Sequence, residues 1–423
     1  MKAHTYEGKI LNNQQITRGV FLYDWIRLFA TLCVVVGHSA YLNITTALGG
    51  VSYEVPQYAS HFYYCAAFKI LRVLAGWVYG FHMPLFFMLS GAVFHLKPMN
   101  DFDSFCKKKI RRLIVPFFVY GFLFMLPVKF LGNFYAKNTI LPALRSFSGG
   151  GESGHLWFLP ALFWCMVAFV MLKKLLERFA IKSKFALLLV CGTVQLLYEH
   201  LPFDFFHCKQ GLSYIFYFAL GFYFETARGR LEAIPKEKLA ATTFLCFALV
   251  LIDFKYALFG RFPTILFRSF FVVLASLACN AFFSGAFSSN LAAIVRRNLF
   301  SVYVFHDPLE YIVLRLFFSS RFLLLKSALG IIAYYAARIF GVVFVSVVLG
   351  EIIRNMTKNF AKIFRPVKDK KTLQILTDCV MICKVCNQWH SLKKSCKNTR
   401  LPKGLFTRRQ TSGIFFRVLP TRA

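Results

Sequence analysis

Acidic residues are scarce in this sequence, in which 18 Asp and Glu stand beside 51 Lys and Arg. Charged residues of both signs make up only 16% of the 423 residues, whereas a soluble globular domain carries about 25%. Hydrophobic residues reach 57%, and 52 of them are Phe. Because a water-soluble core cannot bury so much apolar surface, the composition excludes a soluble globular protein, a disordered chain and a coiled coil.

A disulfide scaffold is excluded as well. Eight of the 12 Cys are scattered singly, most of them within apolar segments, where a free Cys behaves as a small hydrophobe. The other four lie in the C-terminal segment with His390, and only Cys383 and Cys386 form a C-x-x-C. A second ligand pair at zinc-site spacing is missing, so no metal is expected.

Long apolar segments organise residues 20–355. A membrane-spanning helix needs about 20 predominantly apolar residues, and the sequence offers ten such segments, of which the fifth and seventh are short. We therefore predict an all-α, polytopic membrane bundle of about ten transmembrane helices. The predicted spans are residues 20–42, 73–96, 113–131, 156–172, 185–199, 211–226, 239–254, 263–284, 299–319 and 328–352.

Lys and Arg are distributed unequally between the predicted loops. With the N-terminus inside, 20 of them fall on the inner side and 9 on the outer side, which predicts that both termini are cytoplasmic. The same distribution accounts for the net charge of +33, so membrane lipids rather than nucleic acids are the expected partners. The polar N-terminal segment, residues 1–19, lacks the features of a cleavable signal peptide, and the first span is expected to direct insertion.

The C-terminal segment, residues 356–423, differs from the rest of the chain. Its last 57 residues hold 13 Lys or Arg, two acidic residues and no apolar segment long enough to span a membrane. We interpret this segment as a disordered cytoplasmic tail that lies on anionic lipid. A zinc-stabilised module or a partner-docking segment is the alternative.

Ionisable residues within the first span predict a cleft, because such residues are costly in hydrocarbon and usually face an interior cavity. Asp24, Arg27, Thr31 and His38 follow at intervals of three, four and seven residues, which places them on one helical face. Asp24 and Arg27 are predicted to pair. Arg27 alone is compatible with snorkelling, and His38 alone with packing against another helix. Together they indicate an aqueous or catalytic cleft.

Polar groups also occur in three other spans. In the second, His82 precedes Pro84, and a proline kink would turn the imidazole toward the same cleft or leave it as a packing residue. Trp157, in the fourth, is either an aromatic anchor at the membrane interface or a platform for a sugar ring. The ninth span has a polar face that suits an acceptor vestibule or a structural network, made of Tyr303, His306, Asp307 and Glu310.

Several motifs follow one another over residues 20–355. Asp24-x-x-Arg27 is followed by His38, with ten residues between Arg and His. Four further motifs are Phe81-His82-Met83-Pro84-Leu85-Phe86-Phe87, Arg111-Arg112-Leu113-Ile114-Val115-Pro116, His155-Leu156-Trp157-Phe158-Leu159 and Ser301-Val302-Tyr303-Val304-Phe305-His306. This ordered set resembles the membrane-bound acyltransferase-3 family, which includes bacterial O-antigen and exopolysaccharide O-acetyltransferases.

Acyl transfer to a hydroxyl accounts for these residue types. The reaction needs a base for the hydroxyl proton, and a His titrates near neutral pH. It also needs a group that stabilises the oxyanion or anchors an anionic donor, as an Arg does. The resemblance therefore implies a catalytic set of His38, Arg27 and Asp24, and a substrate-binding set of His82, Trp157 and His306, with His306 favoured over Asp307 and Glu310.

A basic cluster precedes the third span at its cytoplasmic end. It is predicted to bind the phosphates of coenzyme A or to reflect the positive-inside rule alone, and it consists of Lys108, Lys109, Arg111 and Arg112. The family's cytoplasmic Arg-x-x-Arg motif is matched here with Lys in its first position.

The predicted function is O-acyl transfer in the bacterial inner membrane. The resemblance implies acetyl-CoA as co-substrate and a cell-envelope glycan, or its lipid-linked saccharide precursor, as acceptor. The alternative is a proton-coupled transporter or channel, with Arg27 and His38 as relay residues. Transporters often have internal inverted repeats with paired broken helices, and the sequence shows no such repeat. A non-catalytic scaffold would not need the polar stripe on the first span, which consists of Asp24, Arg27, Thr31 and His38.

Overall fold

The computed structural model describes most of the chain between residues 22 and 363. The chain divides into two units, Met1–Asn359 and Phe360–Ala423, and the fold below is that of the first. The predicted N-terminal segment 1–19 and the predicted tail from residue 364 onward lie outside the described residues. The described ranges are 22–40, 43–46, 48–52, 66–96, 99, 101–135, 139–181, 183–202, 204–256, 260–282, 290–318 and 328–363.

Helices dominate the described part, and each predicted span contains at least one. Their bounds are 22–39 (α1), Ala66–Tyr79 (α2), His82–His95 (α3), Phe102–Leu131 (α4), Ile140–Ser148 (α5), Phe158–Arg178 (α6), Lys184–Leu197 (α7), Cys208–Leu212 (α8), Ile215–Glu232 (α9), Lys236–Tyr256 (α10), Arg261–Phe282 (α11), Asn290–Phe318 (α12) and, as α13, Ala328–Ala336 continued by Val342–Ile363. This confirms the predicted helical fold, to which the structure adds one small hairpin. Strands Asn43–Thr46 (β1) and Gly49–Ser52 (β2) pair in antiparallel fashion between α1 and α2.

The second predicted span, residues 73–96, is a bent pair of helices rather than one helix. α2 and α3 meet at 44° across Gly80 and Phe81. The sequence suggested that Pro84 kinks a continuous helix, but the structure shows no such kink. Pro84 lies in the first turn of α3, where the missing backbone N–H breaks no helical hydrogen bond. His82 is therefore the first residue of α3.

Membrane character is supported by four described helices that are long and apolar enough to cross a bilayer, α4, α6, α11 and α13. The bent pair α2–α3 makes a fifth if it forms one span. α1 and α12 are not among them because each carries several ionisable side chains, and α7 has only 14 residues. The count of ten spans and the side of each terminus remain predictions.

α3 lies between the two main apolar clusters. On one side it packs with α1, α10 and α11, and on the other with α4, α6 and α9. Its contact with α9 is very close, since a Cβ on Gly91 would lie 2.0 Å from the Phe218 carbonyl oxygen. A Cβ on Gly221 would lie 1.8 Å from the carbonyl oxygen of Met88. Small residues allow such close approach between membrane helices, and at these two positions only glycine fits.

Within the described ranges, three π-helical turns interrupt the regular helices. Two lie in α4, at Ile110–Ile114 and Gly121–Met125, and one lies in α13, at Ala337–Gly341. A π turn shifts the helical face that follows it and occurs often at functional sites. The turn in α13 includes Arg338, which is fully buried.

Candidate active site

His38, near the C-terminal end of α1, forms a hydrogen bond with Asp307 of α12. Its Nδ1 lies 2.8 Å from Asp307 Oδ1, and the two residues are 269 positions apart in the chain. The Asp307 side chain is buried, whereas 16% of the His38 side chain remains exposed. The polar stripe of α1 therefore meets the polar face of α12. Asp307 is thus the hydrogen-bond partner of His38, whereas the substrate-binding role of His306 stays a prediction.

Asp307 also contacts a second histidine through its other carboxylate oxygen. His155 Nδ1 lies 3.1 Å from Asp307 Oδ2, and His155 Nε2 lies 2.8 Å from the Val304 carbonyl oxygen. The Tyr303 hydroxyl donates to the backbone carbonyl of His155 at 2.8 Å. His155 lies in the short 3₁₀ turn Gly154–Trp157 that precedes α6. One carboxylate thus joins α1, α12 and the start of α6.

His306 lies beside both of these histidines. Its ring centroid is 4.9 Å from that of His38 and 5.0 Å from that of His155, both in edge-to-face geometry. Its Nδ1 donates to backbone carbonyls of α12, that of Tyr303 at 2.7 Å and that of Val302 at 3.2 Å. Its buried Nε2 has no hydrogen-bond partner among the described residues. This nitrogen is an acceptor that a substrate hydroxyl could satisfy.

The backbone of His38 is held by an arginine of α13. Arg338 Nη2 donates to the His38 carbonyl oxygen at 2.9 Å, and Nη1 donates to the Tyr334 hydroxyl at 2.7 Å. The same guanidinium lies 3.0 Å from a carboxylate oxygen of Glu310, with both side chains 1% exposed. The last carbonyls of a helix lack intrahelical partners, so Arg338 supplies the hydrogen-bond donor for one of the last carbonyls of α1.

His82 lies close to this cluster. Its Nδ1 donates to the Val78 carbonyl at 3.0 Å, a contact that ties the first residue of α3 to the end of α2. The ring of Tyr79 lies between the histidines, with its centroid 5.1 Å from that of His82 and 6.0 Å from that of His38. His82 is thus a buried histidine at the edge of the cluster, with one nitrogen committed to the backbone.

A buried ion pair adjoins the carboxylate of Asp307. Lys129 Nζ of α4 lies 3.8 Å from Glu152, which also accepts a hydrogen bond from the Tyr135 hydroxyl at 3.2 Å. A Cβ placed on Gly154 would lie 3.6 Å from Lys129 Nζ and 3.9 Å from Asp307 Oδ2. Lys129 therefore contributes positive charge on the side of Asp307 where His155 lies.

Asp24 and Arg27 pair as the sequence predicts, at 3.1 Å. The other carboxylate oxygen of Asp24 lies 3.8 Å from Arg296 of α12. The Arg27 side chain is 39% exposed, so it is accessible to a ligand. His38 lies eleven positions after Arg27, which corresponds to ~16 Å along the helix. The structure places this charged cluster at the opposite end of α1 from the histidines.

The basic cluster lies on the first two turns of α4 and on the π turn that follows. Lys108, Arg111 and Arg112 are exposed, whereas Lys109 packs over the rings of Phe94 and Phe105, with Nζ 5.5 and 5.6 Å from their centroids. Asp101 caps this helix by accepting the Ser104 N–H at 2.7 Å, and this bond lowers the pKa of the Asp101 carboxyl. The exposed members are accessible to a phosphate-bearing ligand.

Trp157 is half-buried at the start of α6. Its ring centroid lies 6.1 Å from that of Tyr214 and 6.4 Å from that of Phe158. The indole therefore packs on aromatic neighbours near the turn that carries His155. Both interpretations of Trp157, interface anchor and sugar platform, stay open.

Besides Asp307, three residues of the site were not assigned to it from the sequence, although the sequence contained a signal for each. His155 belongs to the fourth-span motif, from which Trp157 was chosen instead. Lys129 and Arg338 are ionisable residues inside the predicted spans 113–131 and 328–352. The same argument that identified the stripe on α1 applies to both.

The cluster contains the residue types that proton transfer uses. Within the part of the chain that the structure describes, no three His, Cys, Asp or Glu side chains form a group suited to a metal ion. A histidine oriented by a carboxylate is instead the arrangement that abstracts a proton from a hydroxyl.

The chain matches a known protein family. The model of the acyltransferase-3 family, described as an acyltransferase domain, matches residues 22–351. This range contains α1 to α12, most of α13 and every site residue described above. No curated protein and no solved structure matches the chain.

Proposed function

The chain belongs to the acyltransferase-3 family, and from that premise we propose that it is an integral membrane O-acyltransferase of the bacterial inner membrane. It transfers an acyl group, most simply acetyl, from cytoplasmic acyl-CoA to a hydroxyl of a cell-envelope saccharide or its lipid-linked precursor. Both termini are proposed to be cytoplasmic. The observation that carries the proposal is the partly buried hydrogen bond between His38 and Asp307.

In this proposal His38 is the general base. When its Nδ1–H donates to Asp307, the proton is fixed on that nitrogen and Nε2 is the basic one. Nε2 takes the proton of the acceptor hydroxyl while the hydroxyl oxygen attacks the thioester carbonyl carbon. The resulting imidazolium is stabilised by its hydrogen bond to Asp307.

The second half of the reaction returns the proton. The tetrahedral oxyanion collapses, the C–S bond breaks, and the departing thiolate takes the proton from His38 Nε2. The products are an ester of the acceptor and free coenzyme A, and the enzyme is restored to its starting state. Positive charge near the oxyanion is available from Lys129 and Arg338, which lie beside Asp307 and His38.

The donor is proposed to approach from the end of α1 that carries Arg27. Arg27, with Asp24 as its partner, suits an anionic head group, and Lys108, Lys109, Arg111 and Arg112 supply further cations for phosphate. A donor with its phosphates at Arg27 and its thioester at His38 must extend over the ~16 Å between them. An extended, phosphate-bearing thioester such as acetyl-CoA has this shape.

The acceptor is proposed to bind at the opposite side of the histidine cluster. His306 Nε2, buried and without a described partner, suits a hydrogen bond from a hydroxyl. His82 lies at the edge of the same cluster, and Trp157 provides an aromatic face on which a sugar ring could stack.

Replacement of the base tests the proposal. We expect His38→Ala to reduce the acyl content of cell-envelope glycans at least ~100-fold, the usual contribution of a general base. Mass spectrometry of glycans from a deletion strain complemented with wild type, His38→Ala or His200→Ala measures the effect. His200 is an exposed histidine outside the cluster, so its variant is the matched control.

Membrane levels of the three proteins must be equal for the comparison. Normal acylation by His38→Ala would eliminate His38 as the base. Unchanged acyl content after deletion of the gene itself would contradict the proposed acceptor class.

A further inference from the structure

We propose that His155 and Asp307 share an additional proton, and that this proton makes His155 a positioning residue for His38. The inference rests on the proposed function, because it assigns a role in the transfer reaction to a residue outside the pair of His38 and Asp307. It follows from the hydrogen-bond geometry around the two nitrogens of His155.

Both nitrogens of His155 face oxygen atoms. Nε2 lies 2.8 Å from the Val304 carbonyl oxygen, which can only accept, so Nε2 carries a hydrogen. A neutral imidazole then has a bare lone pair at Nδ1. That nitrogen lies 3.1 Å from Asp307 Oδ2, and an ionised carboxylate also only accepts.

A proton between Nδ1 and Oδ2 resolves this arrangement. It resides either on His155, which is then an imidazolium, or on Asp307, which is then a carboxylic acid. In both cases the pair holds one proton more than a neutral histidine beside a carboxylate. Without that proton, two lone pairs would face each other in a site where both side chains are at most 3% exposed, at a high cost in free energy.

The shared proton sets the charge that His38 experiences. Asp307 holds His38 through Oδ1 and His155 through Oδ2, so the pair with His155 is neutral as a unit. A resting His38 beside a neutral unit stays unprotonated and ready to act as a base. An uncompensated Asp307 anion would instead favour a proton on His38.

Other charged or titratable groups also face this pair. Each belongs to a helix or turn packed against the pair of His155 and Asp307. They are His38 on α1, Lys129 on α4, Glu152 before α6, Tyr303, His306 and Glu310 on α12, and Arg338 on α13.

A pH–rate profile of His155→Gln tests the role in catalysis. Glutamine keeps an N–H for Val304 but cannot hold the shared proton. Removal of a charge this close to a titrating group shifts its titration by roughly one pH unit or more. We therefore expect the acid limb of kcat/KM to move to higher pH, with an activity loss of about tenfold or more at acidic pH that is regained at alkaline pH.

A purely structural role predicts a different result. In that case the rate falls by the same factor at every pH, or does not fall at all. Either profile would overturn the proposal. His200→Gln, which alters an exposed histidine, is the control and should retain the wild-type profile.

Spectroscopy tests the proton independently of any acyltransferase activity. Full-length protein in lipid nanodiscs, with ¹⁵N-labelled histidine, should show at neutral pH a doubly protonated histidine or, in the infrared, a protonated carboxyl band. Whichever signal is present should be altered in His155→Gln and in Asp307→Asn, and unchanged in His200→Gln. Asp307→Asn is the second variant because its amide can donate to Nδ1 and so needs no shared proton.

The two proposals can fail separately. If wild type shows neither signal at neutral pH, the shared proton is disproved even when acyl transfer is normal. If wild type transfers no acyl group from acetyl-CoA or longer acyl-CoA, the proposed function fails while the spectra still decide the proton.

Discussion

Asp307 is the residue on which the site depends most. Its two carboxylate oxygens contact different histidines, at 2.8 and 3.1 Å, and its side chain is 3% exposed. A carboxylate at that depth is tolerated only when donors and compensating charge surround it. Those partners come from α1 and from the turn before α6, so one residue links His38 to the rest of the bundle.

Gly154 shows how closely the backbone approaches this carboxylate. Its φ of +50° lies in the left-handed region, and a Cβ would also lie 3.1 Å from Met125 Sδ. We expect Gly154→Ala to lower stability by about 1 kcal/mol, the cost of this conformation for an L-residue. Activity should fall as well, because the new methyl group lies between Lys129 and Asp307 and the adjacent His155 must shift.

Thermal unfolding in detergent and acyl-transfer rates measure both effects. Gly229→Ala is the matched control, since a Cβ at that helical position meets nothing within 4 Å. If the two alanine variants behave alike, the argument from close approach is wrong.

At the scale of single helices, the π turn of α13 has a direct consequence. It contains Arg338, whose guanidinium reaches the His38 carbonyl, the Tyr334 hydroxyl and Glu310. A planar guanidinium can bind all three at once, whereas a lysine ammonium is a single point of charge. The turn therefore places on α13 the group that fixes the end of α1.

We expect Arg338→Lys to lower kcat about tenfold or more with little change in the KM for acyl-CoA, because small displacements of a reacting group are costly. Initial rates in nanodiscs at varied acyl-CoA concentration measure both constants. Arg354→Lys is the control, since Arg354 pairs with Glu351 near the far end of the same helix. A wild-type kcat in Arg338→Lys would show that His38 needs no such support.

α12 contacts α1 near both ends of α1. Asp24 lies 3.8 Å from Arg296, and fourteen residues further along α1 His38 lies 2.8 Å from Asp307. Both pairs advance in the same direction, so the two helices run parallel. If successive spans cross the membrane in alternating directions, the first and ninth spans must run parallel, as these two helices do. The number of spans remains a prediction.

For the whole molecule, sidedness decides whether the donor can reach the site. The predicted topology places the hairpin outside and the start of α4 inside. We expect Ser52→Cys to react with an impermeant thiol reagent in intact cells, above the wild-type background, and Asp103→Cys to react only after permeabilisation. The opposite labelling pattern would place the basic cluster on the wrong side for cytoplasmic acyl-CoA.

The tail provides a second prediction for the whole molecule. Truncation after Val367 should leave membrane insertion and activity unchanged, because the family match ends at residue 351 and every site residue precedes that point. Glycan acylation and membrane levels of the truncated protein measure this. Loss of activity together with loss of stoichiometric zinc would show instead that the tail is a metal-stabilised module.

The sequence by itself determined the class of the protein, its family and the ion pair near the start of its first helix. Long apolar segments and few charged residues identify a helical membrane protein, because a helix satisfies its backbone hydrogen bonds internally and so can lie in hydrocarbon. Spacing along α1 predicted the pair of Asp24 and Arg27, since contacts three residues apart depend only on helical geometry. Ordered motifs identified the family, which the match over residues 22–351 confirms.

Only the tertiary structure decided which groups surround His38. Its partner Asp307 lies 269 positions away, and Arg338 lies 300 positions away. Local spacing cannot distinguish Asp307 from its neighbour His306, because both lie on the polar side of α12 and their roles depend on how α1 and α12 are rotated against each other. The bend between α2 and α3 was likewise decided by packing, since Pro84 suits the first turn of a helix as well as a kink.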